Sequence, residues 1–263
     1  MPVLTSEAVV LRTWPVQEAD LIVSFFTRDY GRMRGIAKSA LKSRKRFGGA
    51  LEPMTLARAW FAERPRQELV RLDQLEIVRS PLSAPVDPAR MAALSLYAEL
   101  LDEALPERDP QDAVFRLTVS VLEQTAAIEP EPSAFRPGEP ATAQARQPWM
   151  ALTYFSLWMT RLMGLLPDLG RCIVCGEALQ PDGIWFSSHA DGLCCALHAH
   201  GAAHELSADS WQLAQRILRS PIAAFAVEPW PRRRGRDLRR FAMGTLERHL
   251  ERKLRSAEAI TQL

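Results

Sequence analysis

All four cysteines of the chain fall between residues 172 and 195, and three of them form a pattern with a nearby histidine. Cys172-Ile-Val-Cys175-Gly176 is a CxxC knuckle, and Cys195-Ala-Leu-His198 repeats its two-residue spacer as CxxH. A spacer of that length lets both side chains of a knuckle reach one ion. Four protein ligands of mixed thiolate and imidazole type suit a closed, structural zinc site. The chain has no HExxH and no HxE with PCxxC, the patterns that would accompany a catalytic zinc. Cys194, His200 and His204 lie close enough in sequence to stand as alternatives for the second knuckle, and only Cys195 with His198 repeats the spacing. Gly176 and Gly192 are expected to supply permissive backbone at the turns. Cysteines confined to one short window suit a local metal clip in a reducing compartment better than a disulfide framework.

A second group of residues carries charge rather than coordination chemistry. Residues 28–46 hold eight cations, Arg28, Arg32, Arg34, Lys38, Lys42, Arg44, Lys45 and Arg46, against the single anion Asp29. Alternation along a strand over Arg32 to Lys38 puts Arg32, Arg34, Ile36 and Lys38 on one face, with Met33, Gly35 and Ala37 on the other. The following loop, Ala40 to Gly49, is basic and contains Phe47. Such a loop can track phosphates while a ring stacks on a base, so Arg32, Arg34, Lys38, Lys42, Arg44, Lys45, Arg46 and Phe47 are the candidate nucleic-acid contacts. Clustered cations of this kind bind backbone with little sequence readout. A further run, Arg232, Arg233, Arg234 and Arg236, is a candidate second DNA surface or a site for an acidic partner peptide.

Gly31 to Ser39 superficially resembles a phosphate-binding P-loop, but two residues separate its second glycine from Lys38, where that motif needs them adjacent. With no nucleotide fingerprint and no nucleophile-base arrangement, no catalytic residues are assigned and the expected activity is not enzymatic. The rival classes are an RNA-binding barrel protein with a structural zinc and a zinc-dependent nucleic-acid hydrolase.

The elements that position these residues follow from periodicity. Alternating apolar runs at Ala8–Arg12, Asp20–Thr27, Arg32–Lys38, Met54–Ala62 and Glu68–Leu75 predict five strands, with hairpin connections at Asp29-Tyr30-Gly31 and Glu63-Arg64-Pro65-Arg66. Five strands in that length are the size of an OB-fold barrel. Beyond Ser80 the period becomes helical. Asp87-Pro88 and Asp109-Pro110 each signal a helix start, and apolar stripes then run through Met91, Leu94, Tyr97 and Leu101 and through Val114, Leu117 and Val121. Five prolines between 129 and 148 predict a loop. Helices are expected at Trp149–Leu166, Ser207–Arg219 and Asp237–Arg255. The expected fold is therefore α+β: an N-terminal five-stranded OB-fold barrel over residues 1–80, then an all-helical domain over 81–263 with an inserted zinc-binding module at about 170–204.

The 263 residues, 47% hydrophobic, suffice for a sizeable core. The net charge of +2 hides polarity, because residues 81–145 hold eleven acids against four arginines. No secretory signal is visible at the N-terminus. Trp149–Leu166 carries Arg161 near its centre, which favours a buried helix over a membrane span. These features point to a cytoplasmic protein with no membrane partner.

Three stretches together resemble the RecO family of bacterial recombination mediators: Glu18 to Lys38 with Arg46 to Pro53, Tyr154 to Gly176, and Leu246 to Ser256. The matches occur in family order and span nearly the whole chain. The resemblance implies a DNA repair and recombination protein that binds single- and double-stranded DNA and anneals complementary strands. It implies partnership with RecR, contact with the acidic tail of single-stranded-DNA-binding protein (SSB), and help in loading RecA onto coated DNA at the nucleoid. Members that keep the metal site usually have four cysteines, so His198 in the last position is a departure. The proline-rich stretch looks like a local elaboration.

Overall fold

The computed structural model describes residues 2–63, 67–83, 87–126, 148–187, 191–201 and 203–262. The expected turn at residues 64–66 and nearly all of the proline-rich stretch lie outside the described residues. Two compact units are present, Met1–Leu122 with Leu254–Leu263, and Glu123–Lys253.

In the first unit, strands β1 (Leu4–Pro15), β2 (Leu21–Thr27), β3 (Gly31–Ala37), β4 (Leu56–Ala62) and β5 (Val70–Arg79) close into a barrel with the order β1-β2-β3-β5-β4. All neighbours are antiparallel except β3 and β5, which meet in parallel through Gly35 with Val70 and Ile36 with Arg71. This closed five-stranded topology is that of an OB fold. Inward positions along each strand supply the core, including Val10, Val23, Phe25, Met33, Phe61 and Leu72, and Phe25 meets Phe61 edge-to-face at 5.6 Å. The strands fall where the alternation predicts them, with β1 and β5 longer than expected.

Helix α1 (Pro88–Ala104) begins as its Asp-Pro pair predicts: the Asp87 carboxylate accepts from the amides of Ala89 and Arg90 at 3.3 and 3.1 Å. Helix α2 (Asp112–Ala126) starts two residues after Pro110 instead, with Phe115 N–H donating to Gln111 carbonyl. The link between the helices lies against β3. Arg108 N–H donates to the Arg32 carbonyl at 2.9 Å. Gly31 sits beneath this link at φ 71°, where a Cβ would come within 2.3 Å of the Asp109 carbonyl oxygen, so only glycine fits.

In the second unit, α3 (Trp149–Leu162) is shorter than the expected Trp149–Leu166. Its last carbonyls are closed off by the amides of Met163, Gly164 and Leu165, which turn the chain out of the helix. Helix α3 packs against α5 (Arg236–His249), and α4 (Ala208–Ile217) is capped by the Ser207 hydroxyl. The helix expected to run from Asp237 to Arg255 is two. Glu251 adopts φ 54° and Arg252 N–H turns back to the Glu247 carbonyl, which ends α5. The chain restarts as α6 (Arg255–Gln262) in the first unit, where the Glu99 carboxylate of α1 accepts from the amides of Arg255 and Ser256 at 3.0 and 2.8 Å. Strands β6 (Ile184–Phe186), β7 (Leu193–Cys195) and β8 (His204–Leu206) form a small sheet ordered β7-β6-β8. No helix among the described residues is long and apolar enough to cross a membrane.

Candidate nucleic-acid interface and metal centre

The basic window divides in two. Its first half is occupied by carboxylates from the acidic window. Arg28 pairs with Asp112 at 2.9 Å, and Arg34 pairs with Glu107 at 2.6 Å. Arg32 lies 3.4 Å from Glu107 and 3.7 Å from Asp102, and donates to the Leu105 carbonyl at 2.8 Å. Arg32 and Arg34 do point outward, as alternation requires; Arg32 is half-buried against its carboxylates, whereas Arg34 stays exposed while paired with Glu107. The expected row of cations along β3 is present on the outer face, with its first two members ion-paired.

The second half is presented. Lys38, Lys42, Arg44 and Lys45 are exposed, and none pairs with a carboxylate among the described residues. The loop that carries them is pinned at both ends. Ser39 N–H donates to the Asp20 carboxylate at 2.7 Å and Leu41 N–H to the Ala19 carbonyl at 3.2 Å. Leu75 N–H, on β5, donates to the Arg46 carbonyl at 2.9 Å. Arg46 serves the loop itself, donating to the Lys38 carbonyl and the Ser43 hydroxyl at 2.6 and 2.9 Å. Phe47 is 1% exposed and belongs to the barrel core. It anchors the loop and cannot stack on a base, contrary to the expectation for it. Ring direction in a loop is decided by where apolar area can be buried, which spacing alone does not encode.

The arginine run of the second unit is likewise mixed. Arg233 and Arg236 are exposed. Arg234 pairs with Glu228, donates to the Pro229 carbonyl at 2.7 Å and stacks over Trp230, its guanidinium carbon 4.3 Å from the ring centroid. Arg232 lies 5.4 Å over Trp149. The residue that shapes this loop is Arg239, which the charge run did not single out. It donates to the carbonyls of Arg232 and Arg234 and to the Thr153 hydroxyl. Burial lowers its pKa to about 10, helped by Arg232 and Arg236 against the opposing pull of Asp237.

The four candidate metal ligands converge as their spacing predicts. One ligand atom from each of Cys172, Cys175, Cys195 and His198 lies within 4.8 Å of the others. His198 Nδ1 is 3.2 Å from Cys195 Sγ and 3.8 Å from Cys172 Sγ. The first knuckle closes through Gly176 N–H to the Cys172 carbonyl at 2.9 Å, with Gly176 at φ 73°. Gly192 serves differently from expectation: it allows close approach, since a Cβ there would meet the Ile173 side chain at 2.8 Å. His200 and His204 stand outside the cluster, and His204 packs against Phe186. Cys194 is buried on β7, and that burial pushes its thiol pKa up. At Cys172, burial pushes the other way from the amides of Cys175, Cys195 and Val174; the amides prevail and hold the thiol at about 6, near the thiolate form a metal requires. Donor set and convergence fit a tetrahedral metal ion.

Fold and sites together define a barrel-and-helix protein with an exposed basic loop and a Cys3His cluster able to hold a metal. Residues 1–81 match the family model described as Recombination protein O N terminal, and residues 85–136 and 141–258 match Recombination protein O C terminal. The chain is 49% identical over 258 residues, 98% of each protein, to the DNA repair protein RecO of Koribacter versatilis (strain Ellin345). It is 32% identical over 257 residues to the DNA repair protein RecO of Anaeromyxobacter sp. (strain K), covering 97% of this chain and 94% of that one. The chain belongs to the RecO family of DNA repair proteins.

Proposed function

We propose that this protein is a non-enzymatic mediator of DNA repair and homologous recombination, acting in the cytoplasm at the nucleoid. It binds single- and double-stranded DNA through its barrel domain, residues 1–80, and anneals complementary strands. With RecR, it helps load RecA onto DNA coated by SSB, whose acidic C-terminal tail it contacts. The observation that carries the DNA reading is the pinned loop presenting Lys38, Lys42, Arg44 and Lys45 without carboxylate partners. Annealing needs no active site. It requires that two phosphate backbones be neutralised without gripping bases so tightly that they cannot pair. Arg233 and Arg236 offer a second cationic patch for DNA or for the SSB tail. Zinc at Cys172, Cys175, Cys195 and His198 would act as a structural brace.

The test is annealing of complementary oligonucleotides, bare and SSB-coated, by the wild type and by a variant with Lys38, Lys42, Arg44 and Lys45 reversed to glutamate. The wild type should accelerate both reactions. The variant should bind more weakly and with flatter salt dependence, each lost single-strand phosphate contact removing roughly 0.7 from the log-log slope. An unchanged slope in a folded variant would move the DNA path off this loop. Competition by RNA equal to that by DNA would favour an RNA-binding role instead.

A further inference from the structure

Among the described residues of the barrel's unit, the outer face of the barrel is covered at one end and partly exposed at the other. At the covered end, Phe26 meets Phe115 of α2 edge-to-face at 5.5 Å, the Ser24 hydroxyl donates to Asp102 at 2.5 Å, and Arg32 and Arg34 are paired as described. Toward the last residues of β3 the cross-strand register assembles a different row. Trp14 of β1 pairs with Ile22 of β2, Ile22 with Ile36 of β3, and Ile36 with Arg71 of β5. Their strand neighbours Leu21, Val23, Ala37, Val70 and Leu72 belong to the interior cluster, so this row faces outward. Trp14, Ile22 and Ile36 are partly exposed, and Arg71, held by Asp73, is exposed. The Arg12 guanidinium carbon lies 5.1 Å from the indole centroid of Trp14. Lys38 continues the outward parity of Arg34 and Ile36, so the row leads into the basic loop.

The geometry points to Trp14 as the base-stacking residue of this protein, receiving a nucleobase of single-stranded DNA while the phosphates follow Lys38, Lys42, Arg44 and Lys45. This rests on the DNA-binding reading above and supplies the aromatic contact that the buried Phe47 cannot. Charge complementarity selects the occupant: an indole backed by a guanidinium, on a row that leads into a loop of cations without carboxylate partners, suits a stacked base on an anionic strand. The stacking is indifferent to sequence because every base has a π-face. It is also specific to unpaired bases, since those in a duplex already stack on their neighbours. Phosphate contacts are common to both forms of DNA, whereas the contact at Trp14 exists only before pairing. A base leaving the indole for a complementary strand exchanges one stack for another, which lets annealing proceed without a bound intermediate that resists pairing.

The experiment compares binding of the full chain to a thymidine oligonucleotide and to an abasic oligonucleotide with the same number of phosphates. The wild type should prefer the base-bearing strand on the order of tenfold. Trp14→Ala should abolish that preference while leaving the salt slope unchanged, and Trp14→Phe should restore most of it. Reversal of the loop cations should instead weaken binding to both strands and flatten the slope. If Trp14→Ala keeps the preference while the loop variant loses affinity, the stacking inference falls and the DNA-binding reading stands. If the loop variant loses nothing, the DNA path lies off this loop and the stacking inference, which places the phosphates there, falls with it. A second measurement avoids any loss of the ring: oligonucleotide binding should quench more tryptophan fluorescence in the wild type than in Trp14→Phe, and equal quenching would overturn the inference.

Discussion

The Asp237 carboxylate, at the start of α5, accepts from the Ser207 amide and hydroxyl at 2.7 Å each, from the Leu238 amide at 3.0 Å and from the Ser210 hydroxyl. Burial would raise its pKa, but these donors outweigh burial and hold it below the usual carboxylate value. A depressed folded pKa means that stability from the ionised group is present above the unfolded value, near pH 3.9, and is lost as pH falls through the folded one. Asp237→Asn should therefore destabilise the fold at pH 7 by about 1 kcal/mol, solvent screening of this half-buried carboxylate included, with the gap to wild type narrowing below about pH 4. Urea unfolding at both pH values checks this. An equal gap at pH 7 and pH 3 would mean that charge plays no part. A neighbouring residue, Arg239, makes a related point about legibility. Within a run of arginines it has no local signal separating it from Arg236 or Arg240, and only its folded partners, Thr153 of α3 and the Arg232 and Arg234 carbonyls, set it apart.

At the scale of elements, what sequence conveys depends on how local the determining contact is. The strands are legible because a period of two with turn residues at its ends reports an inside and an outside, and Met33, Gly35 and Ala37 do face inward as that period requires. The knuckles are legible for the same reason, each ligand pair being set by its own two-residue spacer. Helix ends are less so, because the break after α5 turns on the backbone of Glu251, a residue with no evident stop signal. The pairing of Arg32 and Arg34 is the least legible, since Glu107 lies some seventy residues away in the link between α1 and α2. That link has a testable consequence, because Glu107 competes with solvent anions for the exposed Arg34 guanidinium. Glu107→Gln should release Arg34, tighten DNA binding and steepen the salt slope by roughly 0.7 for a single strand. The fold should barely respond, since exposed ion pairs contribute only about 0–1 kcal/mol. Binding measured across a salt series decides it, and an unchanged slope would place Arg34 off the DNA path.

For the molecule as a whole, the two compact units hold different kinds of chemistry: the basic loop belongs to the unit with the barrel, and all four candidate metal ligands belong to the other. The barrel closes on itself around an apolar interior built entirely from residues of its own unit. The knuckles have much less to rest on. Strands β6, β7 and β8 are three residues each, too short to be stable as a free-standing sheet. Their apolar support comes from Ile184, Leu193 and Leu206, and from Phe186 against Phe241 of α5 at 5.4 Å. A structural zinc contributes about 10–16 kcal/mol of apparent binding energy in small finger peptides, enough to determine whether so small a module is ordered. Stripping the metal with a strong zinc chelator should therefore raise amide hydrogen exchange across Cys172–His198 while strands β1 to β5 keep their protection. Oligonucleotide affinity at the basic loop should change less than twofold, because no cation of that loop lies in the affected segment. Loss of protection throughout the barrel would show that the units are energetically coupled, and retained protection at the knuckles would show that their packing alone holds them.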